Sequence, residues 1–422
     1  MTPRAIPPIR RRIDARVRVP ASKSVANREL ILSAQADGRS VLDLGPFDPG
    51  ADVRAMREAI GALGYRVEWD GRRITVEGTR DAPTPVDGSI DAADAGTVAR
   101  FLTALAALGR GRVTIDGSVR LRQRPLAALL VALRTLGATV EGDALPLTVN
   151  GPLAGGDVEV SGAESSQFAS ALLLVGAGMP QGLRLRISGT LVSAPFVSLT
   201  VAALRQRDVE VEHPRPGEFH VRPQRVRARR LEIPGDATAA TYPAAAAAIL
   251  GGSVTVEDVD AKRADGGQGD VRFFDLLEEM GCGVDRRGGR VRVSRSGSLH
   301  GIVANVRDCS DVFPTLAAIA ACAETPTELA GISHTRQQES DRIGAVALAL
   351  RALGAGATEF TDTIRIEPGP LHGAIVDAAD DHRIAMAFSI LGLHVPGIAI
   401  DGAESVAKTF PGFYDTLRDL SR

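Results

Sequence analysis

The chemistry of this chain starts with its cations. Of 49 basic residues only three are lysines, Lys23, Lys262 and Lys408. A lysine kept in so arginine-rich a background marks a place for a compact ammonium or a movable proton. Lys262 sits in a loop-like run, DAKRADGG, and carries no such expectation. Lys23, Ser24 and Arg28, in SKSVANR, open a predicted helix with an ammonium, a hydroxyl and a guanidinium. Gly96 and Thr97, in DAGTVAR, stand at a second helix start, where the missing side chain lets a ligand approach the backbone. Ser165, Ser166 and Gln167, in SGAESSQF, place two hydroxyls and free backbone N–H groups at a third, which makes a phosphate cradle. Arg124, in RQRPLAALL, has the fork that grips carboxylate or phosphate at two points, although alone it reads as a surface charge. The second half adds Asp311 in DCSDVFP, Glu339 and Arg342 in RQQESDRIGA, His382 and Arg383 in DDHR, and Lys408 in AKTFPGF. Acid–base groups among so many cations suit a reaction between small anions.

Five of these clusters recur in phase with a sixth, GDATAAT: SKSVANR, DAGTVAR, SSQF, DCSDVFP and DDHR. Each follows a strand-like run and precedes an alanine- or leucine-rich helix, and their Ser, Thr and Asp residues are N-cap types. Between them runs a second repeated phrase, an amphipathic helix, a break and two strands. Its breaks at Gly64, Gly137, Asp208, Gly281 and Gly354 give a period of 71–73 residues. That exceeds solenoid repeats, so each unit should be a small layered α/β structure. Any one cluster could be an ordinary helix cap. Six in phase, most carrying Lys, Arg, Ser or Asp beyond what capping needs, favour a site. The sixth repeat lacks its hairpin, and we expect the N-terminal strand RRIDARVRVP to close it. The expected fold class is therefore α/β (α+β), two domains of three repeats each, spanning 20–235 and 1–19 with 236–422. If the repeats share one orientation, the positive helix ends would focus on a cleft between the domains.

Composition removes other function classes. A net charge of −2 gives no electrostatic reason for nucleic acid or an anionic membrane as partner. Aromatics make up 4%, too few for a base-stacking surface. The longest apolar runs are shorter than a membrane span needs, and the basic N-terminus has no apolar stretch behind it. Three cysteines without metal-type spacing read as reduced thiols of a cytoplasmic protein. The seven histidines are scattered, so no metal is expected. The glycines of a Walker loop are missing from SKSVANR.

From PASKSVANREL to AKTFPGFYDTL the chain resembles the enolpyruvyl transferases. The resemblance implies two domains, each of three βαβαββ units, as an inside-out α/β barrel. It implies transfer of the enolpyruvyl group of phosphoenolpyruvate to the 5-hydroxyl of shikimate 3-phosphate, with loss of phosphate. No cofactor is implied; the partners are small-molecule substrates, and a monomer is expected. By resemblance Lys23, Ser24, Arg28, Ser165, Ser166, Gln167, Ser193, Asp311 and Gln338 hold the shikimate 3-phosphate. Lys23, Gly96, Thr97, Arg124, Gln167, Arg342, Arg383 and Lys408 hold the phosphoenolpyruvate. Asp311 is implied as general base and Glu339 as proton donor, with Lys23 near the transferred proton. His382 either joins them or only orients its neighbours.

Four positions depart from the family's commonest residues. Asp94 replaces an asparagine, Phe101 a proline, Phe196 a tyrosine and Gln338 a lysine. The last two remove groups that normally help to bind the acceptor, and Arg336 is a candidate to restore the lost charge. These departures keep open an enolpyruvyl transferase acting on another hydroxylated acceptor. A sister activity on UDP-N-acetylglucosamine is disfavoured, because no cysteine precedes Cys282. A catalytically dead homologue would have shed the charged residues, which are all present.

Overall fold

The computed structural model describes residues 2–79, 89–261 and 265–420; Lys262 lies outside them. The chain divides into two compact units. A central unit holds residues 21–233 with 265–267, and a terminal unit holds 2–20, 234–261 and 268–420. Each has its own apolar core.

Within the central unit, helices Lys23–Gln35, Gly96–Ala106 and Ser166–Gly176 pack on one another. In the terminal unit the same is true of Ala237–Leu250, Phe313–Ala320 and His382–Gly392. All six begin at the clusters picked out above. Segments such as ATAATYPAAAAAIL are apolar around the whole helix, so every face can be buried, and 13 of its 14 residues are. The second helix of each repeat is one-sided instead. Arg272–Glu279 buries Phe273, Phe274, Leu276 and Leu277, and leaves Glu278 and Glu279 in water.

Each repeat also contributes a sheet built to one scheme. Ser89–Asp91 runs parallel to Arg112–Asp116, which continues antiparallel through Leu147–Asn150 to Thr139–Glu141. Gly356–Glu359 and Thr363–Glu367 form the matching hairpin beside Thr327–Ala330 and Val303–Asn305. One face of these sheets is solvated, so their strands alternate apolar and polar residues. Along Gly156–Ser161 the outward Asp157 meets Arg184 of the neighbouring strand at 2.6 Å, and Glu159 meets Arg186. The third repeat keeps only half its hairpin. Its strand Glu218–Val221 pairs antiparallel with Leu183–Ser188, while the other half of the hairpin is reduced to a single bridge, Glu212 to His220, across a turn holding Pro214 and Pro216.

The first strands of the first and fourth repeats are exchanged. Ile13–Arg18 precedes helix Lys23–Gln35 in sequence, yet it pairs in parallel with Gly252–Glu257 of the terminal unit. Arg230–Glu232 precedes helix Ala237–Leu250, yet it pairs with Gly38–Asp43 of the central unit. This corrects the expectation that RRIDARVRVP closes the sixth repeat. That role falls to Arg4–Ala5, which lies antiparallel to Ala399–Asp401. The longer strand is taken by an open sheet edge whose partner strand it matches over six residue pairs, from Ile13 to Arg18.

A buried ion pair ties the central unit together. Arg207 and Glu29, 0% and 1% exposed at the side chain, meet at 2.7 Å. Arg207 also donates to Ser33 Oγ, Ser40 Oγ and the Arg227 carbonyl. Burial pushes the Glu29 carboxyl up, and Arg207 pulls it back.

Candidate functional site

In the central unit, hydrogen bonds draw three helix starts together. Asn27 Nδ2 donates to Thr97 Oγ1 at 3.0 Å, and Arg100 Nη1 donates to Gln167 Oε1 at 2.7 Å. Arg28 reaches Ser170 of the third helix and the Phe196 carbonyl. Lys23 lies at the first start, 3.0 Å from Asp52. Ser165 caps the third helix by accepting from Gln167 N. Ser193 is held nearby in the left-handed region at φ 52°, and the Val192 N–H bonds the Gly162 carbonyl. Backbone strain of this kind in a non-glycine residue collects at functional sites. Lys23, Ser24, Arg28, Thr97, Ser165, Ser166, Gln167 and Ser193 thus lie along one linked set of helix starts.

Arg28 is the telling group here. Its side chain is 1% exposed and donates to Thr200 Oγ1 at 2.8 Å, the Ser24 carbonyl at 2.7 Å and the Phe196 carbonyl at 3.0 Å. All of these acceptors are neutral. The rings of Phe101 and Phe196 stand 5.3 and 5.8 Å from its guanidinium carbon. Two of the departures from the family pattern therefore border the same cation and offer it π faces. Burial pulls the Arg28 pKa down to about 9. A desolvated cation among neutral acceptors has the chemistry to take an anion.

Gly96 works differently from the expectation. A Cβ there would lie 2.9 Å from Arg100 Nη1 and 3.0 Å from Arg124 Cζ. The space that glycine leaves is thus taken by two guanidinium groups, and the residue serves to seat cations. Arg100, 4% exposed, was not singled out by sequence, although it ends the DAGTVAR cluster. Asp94 accepts from Ser118 Oγ at 2.7 Å.

The terminal unit gathers charges of both signs. Arg342, 1% exposed, donates to Asp381 at 2.7 Å, Glu339 at 2.8 Å and Asp311 at 2.9 Å, and also to Gln338. Arg383 donates to the other Asp311 oxygen at 2.5 Å, and Lys408 lies 3.3 Å from Glu339. Burial alone would lower the pKa of Arg342, but Asp381, Glu339 and Asp311 outweigh it and push it up. One network therefore contains Asp311, Gln338, Glu339, Arg342, Arg383 and Lys408. His382 is 1% exposed, with Nδ1 3.7 Å from Asp381 Oδ1, too far for a hydrogen bond; that carboxylate is held by Ser340 and Arg342. Arg336 does not replace the missing lysine charge. It is held by Asp341 at 2.9 Å, Glu359 at 3.2 Å and the Phe360 carbonyl at 2.8 Å.

The same local sequence builds the same strained turn in both units. DAAD at Asp91–Asp94 and at Asp377–Asp380 puts Ala93 at φ 54° and Ala379 at φ 50°. In each turn the first aspartate accepts from the alanine N–H at 2.7 Å. The short carboxylate stabilises this conformation and aims the following helix start.

Three carboxylates went unread in the sequence: Asp52, Asp270 and Asp381. The first two had a signal, since DVR recurs at Asp52–Arg54 and Asp270–Arg272 at the same phase of the first and fourth repeats. No group of three or more His, Cys, Asp or Glu side chains able to hold a metal ion occurs among the described residues, and no described helix is long and apolar enough to cross a membrane.

Known proteins resemble this chain over nearly its whole length. The family model for EPSP synthase (3-phosphoshikimate 1-carboxyvinyltransferase) matches residues 8–417. The chain is 38% identical over 412 residues to a 3-phosphoshikimate 1-carboxyvinyltransferase of Methanosphaerula palustris, covering 96% of each. It is 36% identical over 418 residues to the Nostoc sp. protein of that description, covering 97% of each. EPSP synthase from Acinetobacter baumannii superposes with a TM-score of 0.81 at 26% identity, over 98% of this chain and 97% of that one. The enolpyruvyl transferase NikO from Streptomyces tendae shares the fold, with a TM-score of 0.74 at 20% identity, over 99% of this chain and 97% of that one.

Proposed function

The chain belongs to the EPSP synthase family, and from that premise we propose how its residues carry out the family's reaction. The activity is transfer of the carboxyvinyl group of phosphoenolpyruvate to the 5-hydroxyl of shikimate 3-phosphate, a step of the shikimate pathway. Protonation of the phosphoenolpyruvate methylene carbon and attack of the hydroxyl give a tetrahedral intermediate. That intermediate then loses phosphate.

Arg28 and Ser24 are assigned to the acceptor carboxylate, and Ser165, Ser166 and Ser193 to its phosphate. Gln167, fixed by Arg100, is assigned to the ring. Arg124, Arg342, Arg383 and Lys408 are assigned to phosphoenolpyruvate, with Gly96 and Thr97 shaping its surroundings and Lys23 serving both substrates. Asp311 is the proposed base for the 5-hydroxyl and Glu339 the proposed acid at carbon. Gln338, bonded to Arg342, is assigned to the acceptor. The observation that carries these assignments is the pairing of Asp311 and Glu339 with Arg342, Arg383 and Lys408. It puts a base and an acid among preorganised cations, which is what addition–elimination between anions needs. The working form is proposed to be a cytoplasmic monomer, a reading supported by a separate core in each unit and by three free cysteines.

The test is phosphate release with both substrates and with each alone. Release that needs both, with the enolpyruvyl ether identified by mass spectrometry, is the expected result. Release from phosphoenolpyruvate alone, or none with both, would overturn the proposal.

A further inference from the structure

Behind the Asp311–Arg383 pair lies a carboxyl group that the reaction as described leaves unused. Asp270 is 2% exposed and stands in the short helix Gly269–Val271. One of its oxygens accepts from Thr238 Oγ1. The other, Oδ1, is buried and has no hydrogen-bond partner among the described residues. Arg383 Nε is likewise buried without one. Asp270 feels the charge of both Arg383 and Asp311. Burial, then Asp311, push its carboxyl up to about 7, against the pull of Arg383 and Thr238.

The surroundings make this group unlike its neighbours. The segments packed against it are helix Ala237–Leu250, residues 307–312 and helix Arg272–Glu279. On or beside these, Asp236, Tyr242 and Asp311 are the titratable groups near the pair; Arg383, the cation, comes from helix His382–Gly392 and also feels Glu339. Cys309 is buried in the same segment as Asp311, and Arg307 and Asp308 precede it. Arg272 is engaged outward, with Asp275 and Glu279. Asp311 has two guanidinium partners, whereas Asp270 has one hydroxyl. Of two carboxyls that feel each other's charge, the one with weaker donors keeps its proton to higher pH.

We propose that Asp270 is a positioning residue of the phosphoenolpyruvate clamp, holding the proton that keeps Asp311 ionised and leaves the charge of Arg383 directed at the substrate. This rests on the functional reading above. When Asp270 loses that proton, a buried negative charge arises behind a site built for an anion. Phosphoenolpyruvate binding should then weaken as pH rises through neutrality. At the corresponding position of the central unit Asp52 instead pairs directly with a cation, Lys23, at 3.0 Å.

Two measurements test it. In the ligand-free protein carrying 13C-carboxyl aspartate, one aspartate signal should titrate near neutral pH and vanish in Asp270→Asn. This readout needs no turnover, so it stands apart from the proposed reaction. In steady state, KM for phosphoenolpyruvate should rise about fivefold more between pH 6.5 and 8.5 in the wild type than in Asp270→Asn, with substrate ionisation common to both. Should Asp270→Asn not fold, Thr238→Val removes the hydroxyl donor and should move the aspartate titration to higher pH. No aspartate titrating above about pH 6, or a KM profile identical in wild type and Asp270→Asn, would overturn the proposal.

Discussion

The two units use the same helix-start architecture to opposite electrostatic ends. In the central unit Arg28 is buried among carbonyls, hydroxyls and aromatic rings, with no carboxylate partner among the described residues. In the terminal unit Arg342, Arg383 and Lys408 all meet carboxylates. A cation without an internal counter-charge binds an external anion strongly but holds the fold together weakly. A cation shared among carboxylates does the reverse, and it also tunes those carboxylates for proton transfer. In the proposed reaction the difference suits anchoring of the acceptor's carboxylate and phosphate in the central unit and proton transfer by Asp311 and Glu339 in the terminal one.

Breaking the second arrangement should have the largest effect on chemistry. Asp311→Ala is expected to lower turnover by about a thousandfold or more while both substrates still bind. Near-normal kcat in that variant would remove Asp311 from the mechanism. Next, Arg342→Met leaves three carboxylates without their buried partner, two of them 9% exposed or less. It should cost about 3–5 kcal/mol of stability by urea unfolding, the usual penalty for breaking a buried charge network. Arg207→Met sharpens the comparison within the central unit. It orphans Glu29 and should destabilise by a similar ~3 kcal/mol, yet leave KM for both substrates unchanged. A changed KM would show that Arg207 is more than structural. The smallest effect is expected for Gln338→Lys. The new ammonium should tighten acceptor binding by calorimetry, though by no more than about threefold, because it gives up the bond to Arg342 and repels it. Weaker binding would mean that Arg342 dominates at this position.

Much of this was legible in the sequence because the repeat is regular. A helix start recurring at a fixed phase reveals itself through Ser, Thr and Asp followed by apolar residues, and so the six inner helices and their clusters could be placed. The strand exchange could not be seen. RIDARVRV and RRLEI have the same alternating pattern, and nothing local says which sheet edge each will join. The same limit misled the reading of Arg336, whose partner Glu359 arrives from a strand 23 residues away. Gly96 was recognised as a place for close approach, but what approaches is set by Arg100 one helical turn later and by Arg124 from another segment. Asp52 and Asp270 looked like ordinary acidic residues in a first helical turn. Only the repeated DVR at one phase distinguished them.

The contrast between the units rests on Arg28, so titration calorimetry of shikimate 3-phosphate into wild type and Arg28→Met tests it most directly, read beside their melting temperatures. The account predicts acceptor affinity reduced about a hundredfold, the loss of a charge-assisted bidentate contact to a carboxylate, with the melting temperature unchanged or raised. Unchanged affinity together with a large drop in melting temperature would contradict it, and would make Arg28 a structural cation like Arg207.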